Sequence, residues 1–265
     1  MCWKNRANEL YIQFSQTKKD MSYLNTFKLI QCVLEKKRPD AKAFLKEVDE
    51  HKIIASLKRS KDGLPQPIKW TTEPVEEKHF AKLPVAEKIK INKILQRVYT
   101  DPTKQIPILL QLKEKHPNLP VLYNYLGVAY GNSQQLDKYK EILHDTVKLF
   151  PDYLFGKITL AEYHLKKGNH REIRNIFNKK LEIHHHFPAS RTTYHISEVR
   201  SFHSIIGTLH ARSGNMTRAI FCYLLLQKID PDHPLSLRVG NEILMKELSK
   251  ISRKHNRSRK SEKPK

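Results

Sequence analysis

The sequence predicts an all-α chain of stacked helical hairpins, preceded by an N-terminal helical segment and followed by a disordered basic tail. Three observations predict it. Leu126-Gly127-x-x-Tyr130 returns as Leu160-Ala161-x-x-His164 and again as Ile206-Gly207-x-x-His210, the second step being longer than the first. The step from Pro117 to Pro151 equals the first of these. From Val85 to about Lys250 the apolar residues recur at helical spacing, one helix after another. A fixed period of about 34 residues marks a repeat architecture, in which no unit buries its apolar face alone and neighbours bury it by stacking.

Residues 1–62 read as a basic helical segment. Tyr23, Leu24, Phe27, Ile30 and Leu34 form one stripe at helical spacing. Phe44, Leu45 and Val48 begin a second, continued by Ile53, Ile54 and Leu57. The sequence leaves open whether this segment caps the array, stands alone or occupies its groove. Residues 63–84 are a Pro-rich linker or irregular strap, broken by Gly63, Pro65, Pro67, Pro74 and Pro84. Trp70, in its middle, is expected to pack back onto a helix. Residues 85–250 form the repeat domain, its first and most degenerate unit spanning about 85–118. Residues 251–265 carry no apolar anchors after Ile251 and are expected to be disordered.

Each landmark of the repeat has a physical reason. A small residue at Gly127, Ala161 and Gly207 lets the two helices of a hairpin approach closely. Tyr123 and Tyr223 stand where an aromatic fills the gap between helices, and Ala219 at a small position of a second helix. Gly168 and Gly214 fall seven positions after the small residue, at the turn between helices. Pro117, Pro151 and Pro231 close the units, because proline cannot continue a helix.

On these residues the chain resembles tetratricopeptide repeat proteins of the bacterial style over roughly residues 85–245. The segments Pro120–Pro151 and Arg200–Pro231 match best. His164 and His210 depart from the usual aromatic, and Tyr139 and Ile173 stand where alanine is usual. An insertion around 182–196 separates the second and third hairpins. The resemblance implies an α-solenoid that serves as a protein-binding scaffold, with a concave groove lined by the first helix of each hairpin. The implied groove positions are Val121, Asn124 and Val128, then Phe155, Ile158, Glu162 and Leu165, then Ser201, Ser204, Thr208 and Ala211. Asn124, Val128, Phe155, Ile158, Glu162, Ser204 and Thr208 are the candidate peptide-binding residues. This mixed set suits an extended or helical peptide with apolar anchors. Some family members grip a C-terminal carboxylate with a Lys/Asn/Arg clamp. The matching positions here are Asn124, Val128, Thr159, Ser201 and Ile205, or, one hairpin earlier, Lys90, Ile94, Tyr125, Phe155 and Thr159. Neither set is a clamp.

The chain carries 49 Lys and Arg against 27 Asp and Glu, a formal net charge of +22. The charge is densest in the last twenty residues, with nine basic and two acidic side chains. Arg253, Lys254, Arg257, Arg259 and Lys260 are the candidate anion contacts. They read either as an electrostatic arm for nucleic acid or an anionic surface, or as a solubilising end. No aromatic interleaves them, so base stacking by the tail is not expected. A nucleic-acid-associated protein with a basic face is therefore the alternative to a scaffold.

Other chemistries find little support. Nucleotide-binding glycine motifs, GxSxG and HExxH are absent, so no enzyme activity and no cofactor is expected. Cys2, Cys32 and Cys222 form no metal-type pair and no disulfide framework. Cys222, in an apolar helix, reads as a buried thiol. His184-His185-His186 invites a metal reading, yet adjacent side chains on a helix point about 100° apart, and a polar loop is expected instead. His164 and His210 are expected to replace interhelical aromatics, with their ring nitrogens hydrogen-bonded. No apolar run is long enough to span a membrane, and the N-terminus lacks a signal-type apolar core, so a cytoplasmic protein is expected.

Overall fold

A computed structural model describes residues 29, 32, 35, 40–75 and 78–261, with side chains described as far as Arg253. Its twelve helices among these residues are α1 (Ala41–Leu45), α2 (Glu50–Lys58), α3 (Lys78–Ala81), α4 (Val85–Arg97), α5 (Pro102–Lys115), α6 (Pro120–Asn132), α7 (Leu136–Leu149), α8 (Leu154–Lys166), α9 (His170–Ile176), α10 (Ile196–Ser213), α11 (Met216–Ile229) and α12 (Pro234–Ser261). Two three-residue strands, β1 (Lys69–Thr71) and β2 (Thr193–His195), are the only strands among the described residues. The chain is all-α in class.

The helix starts follow the period read from the sequence. The step from Pro120, which begins α6, to Leu154, which begins α8, equals the step from Leu136, which begins α7, to His170, which begins α9. It is also the step from Leu126 to Leu160. Local chemistry fixes many of these starts. Pro102, Pro120 and Pro234 each open a helix, where a missing N–H costs nothing. Asp40, Asp49 and Asn215 cap theirs by accepting backbone N–H bonds from Lys42, Lys52 and Arg218.

The turns between paired helices are built alike. Gly168 and Gly214 have φ of +72° and +85°, and Gln134, at the same repeat position, has φ +59°. In each turn the next residue's N–H reaches back five residues: Gln135 to the Tyr130 carbonyl, Asn169 to His164, Asn215 to His210, all at 2.9 Å. This is the left-handed helix stop that glycine adopts most easily.

By contacts the chain divides into two compact units. One comprises residues 66–205. In it α5 packs on α4 and α6, α7 on α6 and α8, and α8 on α6 and α9. Its core includes Ile91, Leu109, Leu122, Leu126 and Ile142. Gly127 allows close packing of α6 on α7, since a Cβ there would lie 3.1 Å from Leu143 Cδ2. The Tyr123 ring lies edge-on to Phe150 at 5.0 Å, and its hydroxyl donates to the Pro117 carbonyl. Glu87 at the start of α4 holds the end of α5 through Lys115 and His116, at 2.5 and 2.9 Å.

The 63–84 linker is more regular than its proline content suggests. It holds α3 and also β1, which pairs in parallel with β2, Trp70 facing Tyr194 in the register. Both strands belong to the 66–205 unit, so the linker is tied to the 182–196 insertion; the Gln66 N–H also donates to Glu182. Trp70, expected to pack back onto a helix, sits on strand β1 and is 40% exposed, as alternate side chains of an extended backbone turn outward.

The other unit comprises residues up to 65 together with 206–265. In it α2 packs on α11 and α1 on α12. Leu45, Ile53 and Leu57 share a core with Ala219, Tyr223, Leu226, Val239 and Ile243. Arg218 donates to the Gly63 carbonyl, while Lys228 pairs with Glu50 and Lys42 with Asp232. The N-terminal helices thus complete a core whose other half lies at the far end of the chain. The stripe Tyr23, Leu24, Phe27, Ile30 and Leu34 lies outside the described residues. Residues 251–261, expected to be disordered, continue α12 as helix to Ser261. Ile251, 2% exposed, anchors the point at which that continuation begins.

Candidate functional site

Two helices of the 66–205 unit each carry a half-buried stripe. On α6 it is Val121, Asn124, Tyr125 and Val128; on α8 it is Phe155, Thr159, Glu162 and Tyr163. The spacings, three, four and seven positions, place each set on one helical face. One hydrogen bond ties the two: the Thr159 hydroxyl lies 2.7 Å from Asn124 Oδ1 and 2.8 Å from the Phe155 carbonyl. The face is mostly apolar and aromatic, with one carboxylate. At its ends stand further aromatics. Tyr99, 64% exposed, meets Tyr125 edge-on at 6.4 Å. Tyr163 meets Tyr139 at 5.9 Å and carries the Lys167 ammonium 4.6 Å above its ring. Burial pushes the Tyr125 and Tyr139 hydroxyls up from their ordinary values, and the Glu162 charge adds to the effect on Tyr139.

Of the residues expected to line a peptide groove, Asn124, Val128, Phe155 and Glu162 fall on this face. Ile158 does not: it turns into the core, and its neighbour Thr159 takes the open position. Ser204 and Thr208 are corrected more sharply. Both are completely buried, and every residue from Phe202 to Ala211 is buried with them. A helical stretch enclosed all round offers no face to a ligand. The groove set therefore reduces to α6 and α8. Tyr125 and Thr159, which complete the face, sit one repeat period apart, and that spacing is the signal that finds them.

The histidines are packing residues in several different ways. His186 is buried with its ring 5.3 Å from Phe177 and 5.5 Å from Phe202, and its Nε2 lies 2.9 Å from the Lys180 carbonyl. Burial pushes its pKa down to about 4. The His184 ring lies tilted against His185, centroids 3.9 Å apart, and its Nδ1 is 3.6 Å from Glu182. Among the described residues no cluster of three His, Cys, Asp or Glu side chains is arranged to hold a metal ion. His203, equally buried, has its Nδ1 2.8 Å from the Val199 carbonyl and is also pushed down to about 4. His164 departs from expectation: its Nδ1 is buried and makes no hydrogen bond among the described residues, while its ring lies edge-on to Tyr163 and His144.

Of the candidate anion contacts, Arg253 is exposed on α12. Lys254, Arg257, Arg259 and Lys260 continue the same helix, and their side chains lie outside the described set. Cys222 is buried, and neither it nor Cys32 is joined in a disulfide among the described residues. Among the described residues no helix is long and apolar enough to cross a membrane. No protein-family model matches the chain, and no curated protein or solved structure matches it either.

Proposed function

We propose that this chain is a tetratricopeptide-like scaffold that binds a peptide or helical segment of another protein on the α6–α8 face. The observation that carries this reading is the chemistry of the eight stripe residues. Five are apolar or aromatic, two are neutral polar groups bonded to each other, and one is a carboxylate; none is Lys or Arg. A phosphate backbone is held by cations, so this face suits apolar side chains with a nearby basic or hydrogen-bonding group. The basic end of α12 remains the feature that favours an anionic partner, on a different part of the chain.

The test is affinity capture from nuclease-treated and untreated cell lysate, with the wild type beside a Phe155→Ala, Glu162→Lys double variant. The expected result is a protein partner that survives nuclease and moderate salt and is lost with the double variant, whose far-UV circular dichroism is unchanged. Recovery of nucleic acid alone, or equal capture by the variant, sinks the assignment.

A further inference from the structure

The stripe on α6 has a counterpart on α4. The step from Val85 to Pro120, the first residues of α4 and α6, sets Ile91, Ile94 and Leu95 against Leu126, Ala129 and Tyr130, and all six are buried. The same step sets Ala86, Ile89, Lys90 and Lys93 against Val121, Asn124, Tyr125 and Val128. These four residues of α4 are all exposed. Helices α4 and α6 both pack on α5 and share one core, and Tyr99, just past the end of α4, meets Tyr125 edge-on. The two stripes therefore adjoin within the 66–205 unit.

The charge changes at this junction. Lys90, Lys93 and Arg97 follow one another at spacings of three and four on α4, which places them on one side of the helix. All three are exposed, and none is in an ion pair among the described residues. The carboxylates nearest in the chain are engaged elsewhere: Glu87 holds Lys115 and His116, and Asp101 holds Lys104. From α4 to α8 the surface thus runs from three cations, through the apolar and aromatic stripe of α6, to Glu162.

We propose that the partner segment carries a cluster of Asp or Glu side chains beside its apolar anchors, and that Lys90, Lys93 and Arg97 receive that cluster. The proposal rests on the reading of the α6–α8 face as a peptide site. Like charges gathered on one side of a helix repel one another, and an acidic partner relieves that repulsion. The strip meets side-chain carboxylates along the segment, so no chain end is needed. Packed helices lie about 8–10 Å apart, a step that an extended chain covers in about three residues. The acids therefore stand about three residues from an anchor on α6 and about six from one on α8. A phosphate backbone crossing the same surface would need cations on α6 and α8 as well, and their stripes hold none.

Selection on the full chain from a random peptide library, displayed on phage with each peptide joined to the coat protein at its C-terminus, tests this. The wild type should enrich peptides in which Asp or Glu stands at that spacing from an aromatic or aliphatic residue. Lys90→Glu with Lys93→Glu should enrich Lys or Arg there instead, and should weaken the wild-type peptides about tenfold by fluorescence polarisation. Lys140→Glu with Lys148→Glu, two exposed lysines of α7, alters the net charge equally and should do neither. A second measurement needs no variant: replacing the acids of a selected peptide by serine should weaken its binding to the wild type, by a factor that shrinks as sodium chloride is raised. Peptides that need Phe155 yet carry no acidic preference, or that bind the charge-reversed variant equally, overturn the acidic cluster and leave the α6–α8 reading in place. No enrichment, or peptides indifferent to Phe155→Ala, sinks that reading and this proposal with it. Polyuridylic acid that binds more tightly than any selected peptide, and is lost with Lys90→Glu and Lys93→Glu, assigns the strip to nucleic acid and overturns the proposal.

Discussion

A Cβ on Gly207 would lie 2.9 Å from the Cβ of Cys222 and 2.9 Å from Val239 Cγ1. Cβ of Cys222 is fixed to its backbone and cannot swing aside. Gly207→Ala should therefore cost about 1–3 kcal/mol of overpacking, beyond the roughly 1 kcal/mol that alanine gains in a helix. Gly127→Ala presses only on the end of Leu143, a side chain able to shift, and meets Ile142 Cγ2 at an ordinary contact distance of 3.6 Å, so its net effect should be near zero. Urea unfolding of the two variants should separate them clearly. Equal stabilities would show that close packing at Gly207 is not what the position requires.

Gln134 holds φ +59° where its two counterparts are glycines. Left-handed backbone costs an ordinary residue about 1 kcal/mol relative to glycine. Gln134→Gly is expected to raise stability by roughly 0.5–1 kcal/mol, while Gly168→Ala lowers it by a similar amount. Differential scanning calorimetry reads both, and a destabilised Gln134→Gly would refute the shared turn geometry.

The Thr208 hydroxyl is buried and makes no hydrogen bond among the described residues. Valine has nearly the same shape and no polar atom. Thr208→Val should stabilise the fold by about 1 kcal/mol, because an unpaired buried hydroxyl is lost and little packing is disturbed. A loss of stability on the same substitution would mean that the hydroxyl does bond in solution.

Acid should weaken the fold in a defined window. His186 and His203 are neutral in the folded chain down to about pH 4, against an ordinary value of 6.5. The unfolded chain binds those protons first, so their contribution is full above pH 6.5 and falls as pH drops towards 4. The loss is on the order of 3 kcal/mol per histidine across that window. Urea unfolding between pH 7 and 4 should show the slope, and His186→Phe with His203→Phe should flatten it. Glu87, held below its ordinary value by Lys115 and His116, acts lower: its contribution fades as pH falls through the carboxylate range.

How much of this could be read in the sequence depends on the range of the forces involved. The helix starts at Pro120, Leu136, Leu154 and His170 were legible, because proline, the small residue at Gly127 and the fixed repeat spacing act locally. Gly168 and Gly214 announced their turns, whereas Gln134 did not, since glutamine carries no turn signal. Ser204 and Thr208 looked like groove residues because the pattern that places them on a first helix says nothing of what covers that helix. The strand that carries Trp70 was hidden for a related reason: pairing between Lys69–Thr71 and Thr193–His195 joins segments far apart in the chain.

The pairing of Glu50 with Lys228 spans 178 residues of chain. During synthesis α1 and α2 leave the ribosome long before α11 and α12 exist, a delay of roughly 10–40 seconds at ordinary elongation rates. Through that interval Ile53 and Leu57 have no core to enter, while residues 66–205 already contain theirs. The middle of the chain is thus able to fold first and the two ends last. A nascent chain stopped before residue 206 carries a stranded apolar segment, the kind of surface that chaperones and proteases detect.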